Sequence, residues 1–383
     1  MGERFLINGA GIAGVAMALF LQQNKEVEVC LLEADEQIRT PETGITIAPN
    51  GMRILERLGL REQIEAAAKF SRDGLVIADR KGKPLTKFHE AAGDNRIWAL
   101  PKADLKNIML GALEPGVLRL GQRGMDLIQS QEGVQLELAE GGYLRGGYLI
   151  AADGMRSVIR RQMFEQNRLR YAGGICFRGI IPKQPVHVVP DRFVEYWGRS
   201  GRIGIVPLSG QRTYWFAVLR ARKNSAILED YQAADLLAHF MEMPPDVTEV
   251  LHLTKNQPIL REKLYELETL DTYANGRVAL IGDAAHAMTP NTGQGGNQAL
   301  EDAFVLAQLL HTSQVEKAFE MLSFVRRERV AKVAKLSRFV GRVGQIRNPL
   351  LIGLRNSLMR SVPADFQHRK LAEIYELETD RPS

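Results

Sequence analysis

Phe5-Leu6-Ile7-Asn8-Gly9-Ala10-Gly11-Ile12-Ala13-Gly14 joins an apolar strand to a Gly-x-Gly-x-x-Gly turn, and the helix-like run Val15 to Leu21 follows at once. Each glycine has a physical task. Gly9 permits the tight turn, Gly11 lets a pyrophosphate approach the backbone, and Gly14 lets helix and strand pack closely. The start of such a helix offers free N–H groups and the positive end of its dipole, so Ile12 and Ala13 join the glycines as phosphate contacts. A second apolar strand, Val27 to Leu32, ends at Glu33, nineteen positions after Gly14, with Ala34 next. A dinucleotide fold places there the acid that accepts hydrogen bonds from ribose hydroxyls. The unit predicts a Rossmann-like α/β domain that binds a dinucleotide, without saying which.

At 383 residues the chain is long enough for two lobes, and with 45% hydrophobic residues it needs no disulfide staples. Cys30 and Cys176 each sit in an apolar run and read as buried free thiols, which fits a reducing, cytoplasmic setting. No Cys/His/carboxylate cluster has metal-ligand spacing, so no metal is expected. The amino terminus enters a strand almost directly, without a signal-peptide pattern, and no apolar run approaches the ~20 residues of a membrane span. The net charge of +5 is mild, and bases are not interleaved with aromatics, which argues against nucleic acid as a partner.

The longest motif is Gly276-Arg277-Val278-Ala279-Leu280-Ile281-Gly282-Asp283-Ala284-Ala285-His286-Ala287-Met288-Thr289-Pro290-Asn291-Thr292-Gly293-Gln294-Gly295-Gly296-Asn297, which runs on into the apolar helix positions Ala299, Ala303 and Leu306. A buried strand ends at Gly-Asp, a loop follows, and a glycine-rich turn opens a helix. This stretch resembles the single-component flavin monooxygenases of the aromatic-hydroxylase type, such as para-hydroxybenzoate, salicylate and urate hydroxylases and zeaxanthin epoxidase. The resemblance implies FAD as the cofactor. Asp283 would accept from a ribityl hydroxyl, and Gly293, Gln294, Gly295, Gly296 and Asn297 would face the flavin pyrimidine at a helix start. Pro290 would flank the flavin ring on the substrate side, and His286 would anchor the loop by a hydrogen bond rather than act as a base.

A third segment, Tyr148-Leu149-Ile150-Ala151-Ala152-Asp153-Gly154 with Ser157 and Arg160 beyond it, is similar to the family's Asp-Gly motif, which implies that Asp153 and Gly154 serve FAD and the pyridine nucleotide. One departure stands out. Where the family usually carries an arginine that contacts FAD, Leu100-Pro101-Lys102-Ala103 has Lys102, which keeps the charge but loses the planar fork.

The resemblance covers nearly the whole chain. It implies an α/β fold, α+β overall, with a discontinuous FAD-binding domain over 1–70, 97–165 and 260–335. An inserted, mainly antiparallel β-sheet lobe for the substrate spans 71–96 and 166–259, and a C-terminal helical segment spans 336–383. Alternation in stretches such as Phe193 to Trp197 and Thr213 to Val218 predicts strands whose inner face roofs the flavin. Pro290, Arg178, Tyr196 and Tyr214 are the substrate-side candidates, and no general base is named.

The expected activity is hydroxylation of an aromatic or heteroaromatic small molecule with NAD(P)H as transient co-substrate and O₂, through a hydroperoxide at flavin C4a. Epoxidation, modification of an antibiotic or polyketide, and polyprenyl-type reduction stay open as alternatives. A halogenase would need Trp-x-Trp-x-Ile-Pro, and none of the three tryptophans sits in one. The chain is expected to be a monomer or homodimer.

The tail poses a separate question. From Arg326 to Arg360 there are ten bases against the single acid Glu328. Val330, Val333, Leu336, Val340 and Val343 recur at helical spacing, as do Leu350, Leu351, Leu354 and Leu358 beyond a break at Asn348-Pro349. Either these stripes pack on the two lobes, or they make peripheral contact with anionic lipid.

Overall fold

The computed structural model describes residues 3–88, 96–164, 168–225, 228, 230–363 and 372–377. Parts of the expected substrate lobe (89–95, 166, 167, 226, 227 and 229) and of the expected C-terminal segment (364–371 and 378–383) lie outside the described residues. From the amino terminus the chain runs through β1 (Arg4–Asn8), α1 (Ile12–Leu21), β2 (Glu28–Leu32), β3 (Gly44–Ile47), α2 (Pro49–Arg57), α3 (Arg61–Ala67), β4 (Lys69–Phe70), β5 (Leu75–Asp79), β6 (Pro84–Phe88) and β7 (Trp98–Pro101). It continues through α4 (Lys102–Gly111), β8 (Leu118–Arg119), β9 (Gly124–Gln129), β10 (Val134–Leu138), β11 (Tyr143–Gly146), β12 (Tyr148–Ala151), α5 (Val158–Met163), β13 (Leu169–Ile181), β14 (Phe193–Trp197), β15 (Arg202–Pro207) and β16 (Thr213–Arg220). The last third holds α6 (Ala233–His239), α7 (Pro245–Leu253), β17 (Leu260–Leu267), β18 (Ala274–Asn275), β19 (Val278–Leu280), α8 (Asp283–His286), α9 (Gly295–Thr312), α10 (Val315–Gly344) and α11 (Pro349–Ser361).

β19, β12, β1, β2 and β8 lie parallel and side by side, with β18 antiparallel at one edge. Their runs are apolar without alternation (Phe5-Leu6-Ile7, Cys30-Leu31-Leu32, Leu149-Ile150) because both faces of the sheet are covered. α1 is apolar all round for the same reason: every residue from Ala13 to Leu21 is buried between the sheet and α9. On the other face the meander β9–β10–β11 sets Leu127 and Leu136 against Leu6 and Leu149.

The second layer is a seven-stranded sheet in the order β17-β13-β16-β15-β14-β5-β6, antiparallel except where β14 meets β5. β17 pairs with β13 along its length, so it belongs to this lobe, and the boundary expected at 260 falls after this strand. Both faces of the sheet are covered. Ile203, Ile205, Trp215, Ala217, Phe177 and Tyr196 pack beneath α6 and α7. The alternate residues, among them Arg178, Ile180, Arg202, Val206, Tyr214 and Phe216, point the other way, toward β3 and β7. Parallel sheet, antiparallel lobe and C-terminal helices are the architecture read from the sequence.

The long helix α10 packs on α9 through a buried charge network. Arg326 donates to Asp302 (Nε–Oδ1 2.8 Å) and to Glu301 (Nη1–Oε2 2.5 Å), and Arg329 grips Glu301 through Nε at 2.5 Å and Nη2 at 2.8 Å. Asn50 of α2 donates to the same Glu301 carboxylate at 2.6 Å. Burial alone would raise both acids, but the arginines and His286 outweigh it: Glu301 is held low, and Asp302 is held down to about 2.

Two outcomes follow for stability. Replacing Arg326 with alanine strands two buried carboxylates, so urea unfolding is expected to show a loss of about 3–5 kcal/mol. A loss under about 1 kcal/mol, typical of an exposed pair, would contradict the arrangement. Because the Asp302 carboxyl is lower in the folded than in the unfolded state, its contribution is complete above about pH 4. It should fade as pH falls toward 2, which unfolding measured across that window would register.

Candidate functional site

Four parallel strands end at the same rim of the sheet, and each carries one of the motifs: β1 leads into Gly9, β2 into Glu33, β12 into Asp153 and β19 into Gly282-Asp283. From β1 the chain continues to β2 on one side, while β12 flanks β1 on the other, so a crevice opens where the order reverses. Ligands of open α/β sheets bind in that crevice.

The backbone there is shaped for close approach. Gly9 has φ +111°, and a Cβ on it would lie 2.6 Å from the Ala152 carbonyl oxygen. Gly14 sits against the Gly9 carbonyl with no room for a side chain. Gly11, Gly154 and Gly295 differ, because a Cβ on any of them would meet nothing within 4 Å. The first two glycines answer to protein packing, and the other three front an open cradle. α1 and α9 both begin without a side-chain cap, so their first N–H groups are free for an anion or a carbonyl. The two helix starts adjoin: a Cβ on Gly282 (φ +59°) would fall 2.8 Å from Ala13 Cβ and 3.3 Å from Ala299 Cβ. One on Gly296 would fall 3.4 Å from Ile12 Cδ1.

The polar groups at the rim are arranged to receive donors. Asp283 reaches solvent in the cleft, and its carboxylate has no hydrogen-bond partner among the described residues. The surrounding walls push its carboxyl up, against the pull of His286 and Lys102. Asp153 accepts from Val158 N at 2.8 Å through Oδ2 and so caps α5, while its buried Oδ1 has no partner. Glu33 accepts from Lys106 Nζ at 3.3 Å and from Asp35 N at 3.3 Å, which leaves acceptor capacity for hydroxyls. Lys102 opens α4 with an exposed ammonium that has no partner among the described residues. A buried orphan acceptor, a free carboxylate and an unfilled glycine cradle on one rim fit a dinucleotide.

Other residues hold this rim in shape. Asp302 Oδ2 accepts from Gly282 N at 2.7 Å and lies 2.5 Å from His286 Nε2, so the turn before Asp283 hangs on the charge network of α9 and α10. Arg160, buried, donates to the carbonyls of Ala284 and Met155. Asn297 is consumed by the protein: its amide bridges Ala48 N, Thr46 O and Gly293 O, which pins the start of α9 to β3. Gln294 is likewise buried, with Asn50 and Gln298 donating to its carbonyl.

The second lobe closes the crevice from above. The Tyr214 ring lies against Gly44, and Gly293 sits against Thr46, so the sheet lobe, β3 and the loop from Pro290 to Gly293 converge. Burial pushes the Tyr214 phenol up and keeps it neutral. Phe216 stands beside it, ring centroids 6.0 Å apart, and Arg178 pairs with Glu262 at 3.0 Å. Asn291 is clamped from two sides, donating to Thr289 Oγ1 and the Ser337 carbonyl of α10 and accepting from Arg202, which also holds Glu195 at 2.9 Å.

Of the substrate-side candidates, Arg178 and Tyr214 face the side of the sheet where β3 meets the loop that starts at Pro290. Tyr196 does not. Its strand turns it to the helix-covered face, where its hydroxyl meets Asp246 at 2.5 Å. Phe216, Arg202 and Lys106 were missed. A signal existed for Arg202 and Phe216: they alternate with Ile203 and Ile205, and with Trp215 and Ala217, and so face away from that apolar layer.

A family model described as FAD binding domain matches residues 4–339. The 2-heptyl-3-hydroxy-4(1H)-quinolone synthase of Pseudomonas aeruginosa is 31% identical over 365 residues, covering 94% of each chain. The aurachin C monooxygenase/isomerase of Stigmatella aurantiaca is 29% identical over 369 residues, covering 95% of each. Among solved structures, Klebsiella pneumoniae HpxO complexed with FAD and uric acid has a TM-score of 0.88 at 25% identity, covering 97% of this chain and 96% of that one. The dinucleotide is FAD.

Asp283→Ala is expected to raise the Kd for FAD roughly 5- to 100-fold, since a free acceptor at the rim disappears. Titration by flavin fluorescence would measure it, and an unchanged Kd would remove Asp283 from the site. At Lys102, arginine should hold or tighten binding and alanine should weaken it. Equal affinity in all three forms would mean that this ammonium does not reach the cofactor.

Proposed function

The chain belongs to the FAD-binding-domain family of flavoprotein monooxygenases, and we propose that it hydroxylates a heteroaromatic ring of the 4-quinolone type with NAD(P)H and O₂. FAD, when bound, supplies the electron transfer and the oxygen chemistry. The protein supplies place and dryness. Gly11, Gly154 and Gly295 would leave room for the cofactor, Glu33, Asp153 and Asp283 would receive its hydroxyls, and Lys102 would face its charge. The uncapped start of α9 would offer its N–H groups to negative charge on the reduced ring.

The observation that carries the reading is that Tyr214, with Phe216 beside it, lies against Gly44 of β3, the strand whose Thr46 meets Gly293 in the loop running from Pro290 to α9. An aromatic wall with a neutral phenol suits a flat ring that has a polar edge. Water kept from such a site cannot divert the oxidant to peroxide. The quinolone class is supported by the relative of 31% identity, whose product by its name bears a hydroxyl beside a heptyl chain on a 4-quinolone ring. No side chain is assigned as a general base.

FAD-loaded protein should oxidise NADH or NADPH at least several-fold faster with 2-heptyl-4(1H)-quinolone present. Under ¹⁸O₂ the product should carry one heavy oxygen. A product labelled from water instead, or fast oxidation yielding only peroxide with every heteroaromatic ring offered, would contradict hydroxylation. Silence with the quinolone alongside labelled product from a hydroxybenzoate or urate would overturn the substrate class and leave the reaction standing.

A further inference from the structure

The two apolar stripes of the tail have opposite fates. In α10, Val330 and Val333 are buried, and Val340 and Val343 pack against Ile77, Leu85 and Trp197 of the seven-stranded sheet. In α11 the arrangement is inverted. Leu350, Leu351, Leu354 and Leu358 are 84%, 52%, 57% and 59% exposed, while Arg355 is buried with its guanidinium 5.3 Å from the Trp197 ring centroid. Arg360 fastens the far end of the helix, donating to Asp79 at 2.6 Å and to the Pro84 carbonyl. Met359 adds an apolar contact on the same inner side. A surface helix ordinarily turns its leucines inward and its arginines out. Here polar anchors hold the helix to the lobe, and the leucines spaced i, i+1, i+4 and i+8 are left outside as a continuous ridge.

Charge says what this ridge fits. Between Glu328 and Asp365 the sequence contains no acid. Arg329, Arg338, Arg355 and Arg360 are engaged with Glu301, Glu266, Trp197 and Asp79. Lys335 and Arg342 have no acidic partner among the described residues, and they share one exposed face of α10 with Phe339 by their spacing. Arg347, in the turn to α11, is exposed and among the described residues meets only the Arg220 carbonyl. A second copy of this chain would bring the same cations to the leucines and be repelled. An anionic lipid surface would take the leucines at its acyl boundary and the cations at its headgroups.

We propose that α11, with the end of α10, is a peripheral docking surface for anionic phospholipid. It seats the substrate lobe on a membrane by a leucine ridge flanked by Lys335, Arg342 and Arg347. The inference does not depend on which ring the enzyme hydroxylates.

The test uses full-length, FAD-loaded protein and sedimentation with vesicles of phosphatidylcholine alone or mixed with phosphatidylglycerol. Binding is expected to the mixed vesicles at low salt, at least tenfold weaker to phosphatidylcholine alone, and lost in 0.5 M NaCl. Leu354→Ser with Leu358→Ser, and separately Arg342→Glu with Arg347→Glu, should each reduce binding at least tenfold while thermal stability and NAD(P)H oxidation stay unchanged. Absence of binding at low salt, equal binding to both vesicle types, or binding indifferent to either pair of substitutions would overturn the proposal. So would a lipid-free dimer that the leucine substitutions dissociate, since a second copy would then cover the ridge.

Discussion

Asp302 is the group on which the rest of the site depends. One of its oxygens receives Arg326, and the other receives Gly282 N and lies against His286 Nε2. A buried carboxylate is stable only with its partners in place. The positions of α9, α10 and the Gly282-Asp283 turn are thereby made a single condition. Asn50 and Arg329 extend that condition through Glu301 to α2 and to the Ile374 carbonyl near the carboxyl terminus. The cofactor rim is held from behind by a charge network in which both buried carboxylates, Glu301 and Asp302, are partnered, while its front is left with free acceptors.

The same division between a satisfied back and an unsatisfied front recurs across the cleft. Asn297 and Gln294 spend their amides on protein, which holds the start of α9 in place and leaves its N–H groups exposed. Asp153 uses one oxygen to cap α5 and keeps the other without a partner. The loop beside Pro290 is tied by Asn291 to Ser337 of α10 on one side and Arg202 of the lobe on the other. α10 therefore touches both halves of the site, and helix, loop and roof are coupled through short polar contacts.

Much of this was legible in the sequence because it rests on local constraints. The turn at Gly9 and the packing at Gly14 are steric demands that only glycine meets, and Gly-Asp at the end of a buried strand is equally local. What was not legible depends on pairing across long separations. Alternation showed that Tyr196 lies on the face opposite Glu195 and Trp197, but both faces of that sheet are covered, so the pattern could not say which one looks into the cleft. β17 reads as a strand of either lobe until its pairing with β13 is seen. The links from Lys106 to Glu33 and from Arg326 to Asp302 join separate elements and leave no periodic trace. The α11 leucines carry the same helical spacing whether packed or bare, and only the burial of Arg355 on Trp197 decides it.

The central claim is that FAD lies at the carboxyl ends of β1, β2, β12 and β19, beneath the sheet lobe. Hydrogen–deuterium exchange of the protein with and without FAD tests it most directly. Exchange should slow in peptides spanning Gly9–Gly14 and Gly282–Asn297 and stay unchanged in α6 and α7, on the far side of the lobe. Protection absent from the two glycine segments, or concentrated in α6 and α7, would contradict the account.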